Sequence, residues 1–336
     1  MGLVLLHDYF KKYYPELQKP SKWKEAADKV YSVYFNGSWK PLCDGLCHGW
    51  WLSQPAMLEY ALFDDQHKYL ESGGARKAAF CAMAVVNNSG WMPNAGDSSI
   101  TRQFPGYVLD MTSEYYKDGK ARYMSNLAPI WRRGYSGPIS FLPKMYDVGI
   151  KPEQPKELIG VTVIPVDPIV YNAWRDYPDI ADRVTDTPPT APIEKCFDKL
   201  AIRTGFEYKD EFLLIDGLGG GSHSYADAMA ILDYEKYGLS FVISEDQLYW
   251  IEPENHSMVT IYKNGKSDSI PSFAELEKID RLSDGQIYIS MILKNSNSAD
   301  WRREIYLVPD KFLIINDTII ANKEGDYSIE THFRTP

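Results

Sequence analysis

The run Leu218–Ile231, LGGGSHSYADAMAI, places an imidazole, a phenol and a carboxylate close together behind three consecutive glycines. If the segment is extended, His223, Tyr225 and Asp227 share one face, because strand side chains alternate. If it is helical, His223 and Asp227 still share a face at i,i+4 spacing. Either geometry presents an imidazole beside a carboxylate, a pairing suited to proton exchange or to holding a metal ion. Gly219, Gly220 and Gly221 allow unusual backbone dihedrals and close passage by another surface. The competing structural reading is a polar strand start whose aspartate caps or pairs locally.

The elements that must position this run change character twice along the chain. Up to about residue 137 the pattern is helical. Pro20 and Ser21 precede Trp23, Ala26, Ala27, Val30, Tyr31 and Tyr34 at helical spacing, until Asn36-Gly37 stops the run. Residues 50–63, 75–86 and 100–116 continue it, and the opening residues read as the middle of another helix. The loops between them, CDGLCHGWW, NNSGWMPNAGDSS and RRGYSGP, are rich in aromatic and small polar residues. Paired helices joined by such loops suit part of an (α/α) toroid whose loops face a groove.

Residues 138–195 carry clustered prolines, KPEQPKE, PVDP and TPPTAP, and lose helical periodicity. They read as a connector, with VTVIPV as an edge strand. Residues 196–336 then alternate strand-like runs with turn signals. The runs are KLAIRTGF, EFLLIDGL, LSFVIS, SMVTIYKNG, GQIYISMIL, REIYLVPD and KFLIINDTIIA, with turns at Lys263–Lys266 and Ser283–Gly285. The expectation is a multidomain α+β chain: a partial toroid, a proline-rich connector and an antiparallel β-sandwich.

The net charge of −10 argues against general nucleic-acid binding, which needs a basic surface. Arg132-Arg133 and Arg302-Arg303 leave room for a modestly anionic ligand, or are simply solvated surface charge. Four cysteines, at 43, 47, 81 and 196, are too few for a disulfide framework in a chain of 336 residues. The N-terminal MGLVLLHDYFKK has neither the basic head nor the cleavage site of a signal peptide, and no run is long enough to span a membrane. Both ends suggest a piece of a longer protein.

The segment FDKLAIRTGFEYKDEFLLIDGLGGGSHSYADAMAILDYEKYGLSFVI resembles the β-domain of heparinase II/III-like polysaccharide lyases. That family carries an HxHxD signature in a glycine-rich approach to a strand, then an apolar run ending in Asp, then a further His. ADWRREIYLVPDKFLIINDTIIA is similar to the family's Arg-led strand and hairpin. DGLCHGWWLSQPAMLEYALFDDQHKYLESGGARKAA and GWMPNAGDSS look like the last helices and loops of its toroid. Position by position, the first signature His falls on His223, at the catalytic groove, and the second, a metal ligand in several members, on Tyr225. The signature Asp falls on Asp227, the later ligand Asp on Ser244 and the last His on His256. A phenol and a hydroxyl are poor zinc donors, so neither a metal nor any other cofactor is expected.

The resemblance implies cleavage of a uronate-containing polysaccharide by β-elimination. His223 and, from the toroid loop, His48 are the expected catalytic residues. Tyr225, Asp227, His256, Trp50 and Trp91 are the expected substrate contacts, the indoles because aromatic faces suit pyranose rings. Packing between helices is the competing role for Trp50, Trp51 and Trp91. Asp97 would cap a helix or bind a hydroxyl, and Tyr107, Tyr115 and Tyr116 supply further phenols. The expected partner is a polysaccharide, not nucleic acid, and the expected compartment is periplasmic or secreted. Two alternatives stand: a glycan-binding or structural homologue that has lost activity, and a glycoside hydrolase, for which Asp44 and Asp97 are the loop acids.

Overall fold

A computed structural model of the chain describes residues 2–36, 57–58, 60–61, 68–93, 95, 106–127, 149–168, 192–219, 226–244, 252–267 and 270–336. Among these, six α-helices precede eleven antiparallel strands, so the chain is α+β. The helices are α1 (Gly2–Tyr13), α2 (Lys19–Asn36), α3 (Lys68–Glu71), α4 (Gly74–Val85), α5 (Gly106–Tyr116) and α6 (Gly119–Leu127). Helix α2 covers the run that begins near Pro20. The buried His7 of α1 hydrogen-bonds through Nδ1 to the Pro20 carbonyl at 2.8 Å, tying these two helices together.

Five strands form the first sheet in the order β1-β2-β3-β4-β5: β1 (Gly160–Pro165), β2 (Phe197–Arg203), β3 (Phe212–Asp216), β4 (Ile231–Lys236) and β5 (Leu239–Ile243). The VTVIPV run is indeed its edge strand, β1. A second sheet has the order β10-β9-β8-β7, from β7 (Glu275–Arg281), β8 (Ile287–Ser296), β9 (Ala299–Val308) and β10 (Phe312–Ala321). Strands β6 (Val259–Lys263) and β11 (Tyr327–Thr331) pair with each other. Both expected turns form, with Asn264 and Gly265, and Asp284 and Gly285, at positive φ.

Period-two alternation assigns the two faces of the first sheet. Ala201, Phe212 and Leu214 enter one core with Ala78, Val85, Leu109 and Met124 of the helices. Leu200, Ile202, Leu213 and Ile215 enter another with Ile289, Leu293, Trp301 and Ile305 of the second sheet. Helices therefore cover one face of this sheet and strands the other, which explains why β2 and β3 are buried along their whole length.

The second sheet is fixed by one buried arginine. Arg303 of β9 donates from Nε and Nη2 to the two carboxylate oxygens of Asp317 on β10, at 2.8 and 2.9 Å. Trp301 Nε1 donates to the same carboxylate at 2.8 Å. Arg303 Nη1 donates to the Met229 carbonyl at 2.9 Å, so the second sheet holds the loop just after Asp227. Arg302 is bound through Nε and Nη2 to Glu277 at 2.7 and 3.0 Å. Both guanidiniums of this pair have carboxylate partners, and Arg303 is not surface charge at all.

Candidate functional site

The glycine-rich run is held at both ends. At its start, the fully buried Lys199 of β2 donates to Asp216 Oδ1 at 2.7 Å and to Asp198 Oδ1 at 3.1 Å. Asp216 Oδ1 also accepts the Leu218 amide at 2.9 Å, which directs the chain as it leaves β3. Gly217 has no room for a side chain: a Cβ there would lie 2.3 Å from the Phe197 carbonyl oxygen. The Gly219 amide then donates to the Ser272 carbonyl at 2.9 Å. At the far end, the amides of Ala230 and Met229 donate to the carbonyls of Asp227 and Asp216, at 2.8 and 2.9 Å.

His223 and Tyr225 lie between these anchors and outside the described residues, as do His48, Trp50, Trp51, Asp44 and Asp97. Asp227 is fully buried, ahead of Ala228, Met229 and Ala230 in the core between the sheets.

Ser244 and His256, 12 positions apart, meet where the first sheet's edge strand β5 ends. Ser244 Oγ and His256 Nδ1 share a hydrogen bond of 2.7 Å, and both residues are buried. The Ser244 amide donates to the Leu232 carbonyl, continuing the β4–β5 edge. The 3-10 turn Pro253–Asn255 delivers His256, and Ser257 Oγ donates to the Ile243 carbonyl at 2.6 Å. Burial, helped by the nearby Arg334, pulls the imidazole down to about 4, so the ring is neutral at neutral pH.

This donor set does not fit a zinc centre. A hydroxyl occupies position 244 and already engages the His256 ring, and position 225 is a phenol. No three His, Cys, Asp or Glu side chains converge for a metal among the described residues.

Trp91 is half-buried, at the end of the turn after α4. Its amide donates to Asn87 Oδ1 at 2.8 Å, and the Asn87 amide donates to the Trp91 carbonyl at 2.7 Å. Of the phenols named from the sequence, Tyr107 is buried in the helical core and Tyr115 is exposed. Tyr116 donates to the Leu70 carbonyl beneath the guanidinium of Arg76, and burial raises its pKa. Burial pushes the thiols of Cys81 and Cys196 up to about 12, leaving both as inert core groups. Sequence reasoning missed the Lys199–Asp216 anchor, although a lysine and an aspartate inside apolar strands were a visible signal.

No family profile and no curated protein matches this sequence. Solved structures do match its fold. A heparinase III gene product superposes at TM-score 0.59 and 11% identity, covering 99% of this chain and 46% of its own. A heparan sulfate lyase HepC mutant from Pedobacter heparinus gives 0.58 and 11%, covering 96% and 45%. A further heparinase III gives 0.50 and 13%, covering 81% and 38%. The chain thus has a heparinase-III-like fold and spans less than half the length of these proteins.

Proposed function

We propose that the chain is part of a polysaccharide lyase, acting on a uronate-containing polymer by β-elimination. The observation that carries this reading is the likeness to heparinase III and heparan sulfate lyase along nearly the whole chain. In this reading the helices belong to an incomplete (α/α) toroid and the two larger sheets form a β-sandwich, with residues 138–195 connecting them. The substrate groove runs where the toroid loops meet the glycine-rich segment, and the protein works in the periplasm or outside the cell. No described helix is long and apolar enough to cross a membrane.

The reaction needs a base to take the proton at C5 of the uronate. The electron pair left behind forms the C4–C5 double bond as the C4–O4 bond breaks, and an acid returns a proton to O4. Hydrogen-bond donors must neutralise the adjacent carboxylate while negative charge accumulates on it. His223 serves as base or donor and His48 as its counterpart, each within the range of groups that exchange protons near neutrality. Tyr225, Trp50 and Trp91 contact the sugar rings. Asp227 and His256 are buried, and His256 is engaged by Ser244, so both support the site from within the fold and leave the sugar contacts to the other residues.

A second reading is supported by the Ser244–His256 hydrogen bond, which closes two of the resemblance's metal positions on each other. On that reading the chain is a glycan-binding homologue without activity. The test is ultraviolet absorbance of unsaturated uronate products, with heparan sulfate and alginate as substrates. Product formation that is lost in His223→Ala supports the lyase. Retention of both polymers with no product leaves the binding reading, and full activity in His223→Ala removes the central assignment.

A further inference from the structure

The turn that ends at Trp91 is gripped by the first sheet through side chains that the chemistry above does not use. Asn87 Nδ2 donates to Asp233 Oδ2 on β4 at 2.8 Å, and Asn88 Nδ2 donates to the Asp210 carbonyl at 3.3 Å. Arg203 of β2 donates to Asn88 Oδ1 and to the Val86 carbonyl. Its guanidinium lies 4.5 and 4.6 Å from the ring centroids of Phe206 and Phe212. The Ser89 amide donates to Glu235 Oε2 at a long 3.4 Å, and Ser89 Oγ reaches the Gly238 carbonyl at 3.5 Å. The turn between helix α4 and its successor is thus the fitting by which the helical layer meets the sheet.

Glu235 is the weak member of this grip. It is 1% exposed, yet Oε1 has no hydrogen-bond partner and the turn offers the carboxyl only Ser89, whose amide reaches Oε2 at a long 3.4 Å. Asp233 lies two residues away on the same strand face, buried and facing the same turn. The charged or titratable groups facing Glu235 are Asp233 from β4 and Arg203 from β2, with the Tyr123 phenol of α6 acting on Arg203. The turn contributes only the amide and hydroxyl of Ser89. Arg203 is already committed to Asn88 and Val86, so it neutralises Glu235 incompletely.

We infer that Glu235 is a proton-operated latch: protonated, it lets the Val86–Trp91 turn seat on the sheet, and ionised, it loosens that turn. Burial, with the Asp233 charge adding to it, pushes the Glu235 carboxyl up from 4.5 to about 7. A carboxyl raised in the seated state favours seating at low pH. That preference is full below about 4.5, fades as pH rises toward about 7 and is gone above it. Seating is therefore coupled to pH within the physiological range, and the backbone carrying Trp91 moves with it. This inference stands apart from the polysaccharide reading, since it concerns the junction and no ligand.

Hydrogen exchange of the peptide over residues 86–92, corrected for intrinsic rates, tests it on the whole chain at pH 5 and pH 8. Protection of the Ser89, Gly90 and Trp91 amides is expected to drop by up to about 70-fold from pH 5 to pH 8, for a carboxyl raised from 4.5 to about 7. In Glu235→Gln the drop is expected to vanish. Equal corrected protection at both pH values, or an undiminished drop in Glu235→Gln, overturns the latch. Should that variant fold poorly, amide resonances of Ser89 and Gly90 followed by NMR in the unmutated chain decide the matter. A midpoint near 7 upholds the proposal, and a midpoint near 4.5 or no transition refutes it.

Discussion

Acidifying the protein should unmask the cost of burying a neutral histidine at position 256. The imidazole has an ordinary value of 6.5 and is held at about 4 in the folded chain. Unfolding at acid pH therefore takes up a proton that the folded state refuses, and stability must fall. The depressed value stabilises the fold above pH 6.5, and this contribution disappears as pH falls through about 4. At about 1.4 kcal/mol per tenfold difference in proton affinity, the gap from 6.5 to about 4 is worth roughly 3.4 kcal/mol. Residual structure or water around the unfolding loop reduces that figure, so about 2–3 kcal/mol is the working expectation. The assay is urea unfolding at pH 7.5 and pH 4, comparing the unmutated chain with His256→Gln. The variant, lacking the titrating ring, should lose less stability on acidification by that amount. Identical losses in both proteins would refute the assignment of His256 as a buried neutral group.

Three further outcomes are expected from the same region. Ser244→Ala removes the partner of a buried ring nitrogen and should destabilise by about 1–3 kcal/mol in urea titrations. Lys199→Met leaves Asp198 and Asp216 buried without their cation. It should cost about 3–5 kcal/mol, with the Lys199→Met/Asp216→Leu double variant recovering part of the loss in a double-mutant comparison. Gly217→Ala drives a methyl onto the Phe197 carbonyl and should lower stability by about 1–3 kcal/mol, read as a depressed melting temperature.

Much of the architecture was legible because most strands obey simple patterning. KFLIINDTIIA and REIYLVPD became a ten-residue antiparallel ladder, and the Asn-Gly and Asp-Gly turns formed where the sequence placed them. Strand β4, ILDYEK, escaped notice because its inward face carries Asp233 and Glu235, reserved for the turn from the helices. Inward carboxylates invert the usual signal, and only the partner turn explains them. Strand β7, ELEKIDR, was hidden for the opposite reason: it is an edge strand with mostly solvent-facing positions. The site was legible in part. The resemblance aligned Ser244 with a later ligand Asp and His256 with the last His, and the structure joins these two side chains by a hydrogen bond. It could not foresee that the two would bond to each other, since distance and tautomer are not written in residue type. Nor could spacing reveal that Lys199, 17 positions before Asp216, would fasten the glycine-rich run.

Arg303 has a consequence for the order in which the chain becomes structured. Strands β8, β9 and β10 form a meander whose ladders close over short turns, so these pairings incur little loop entropy. The bond from Arg303 to the Met229 carbonyl instead closes 74 positions. Its guanidinium is also fixed by Asp317, which is in place only once β10 has paired with β9. The segment after Asp227, already bonded to Asp216 through the Met229 amide, therefore receives this second anchor late, when the meander already exists as a template.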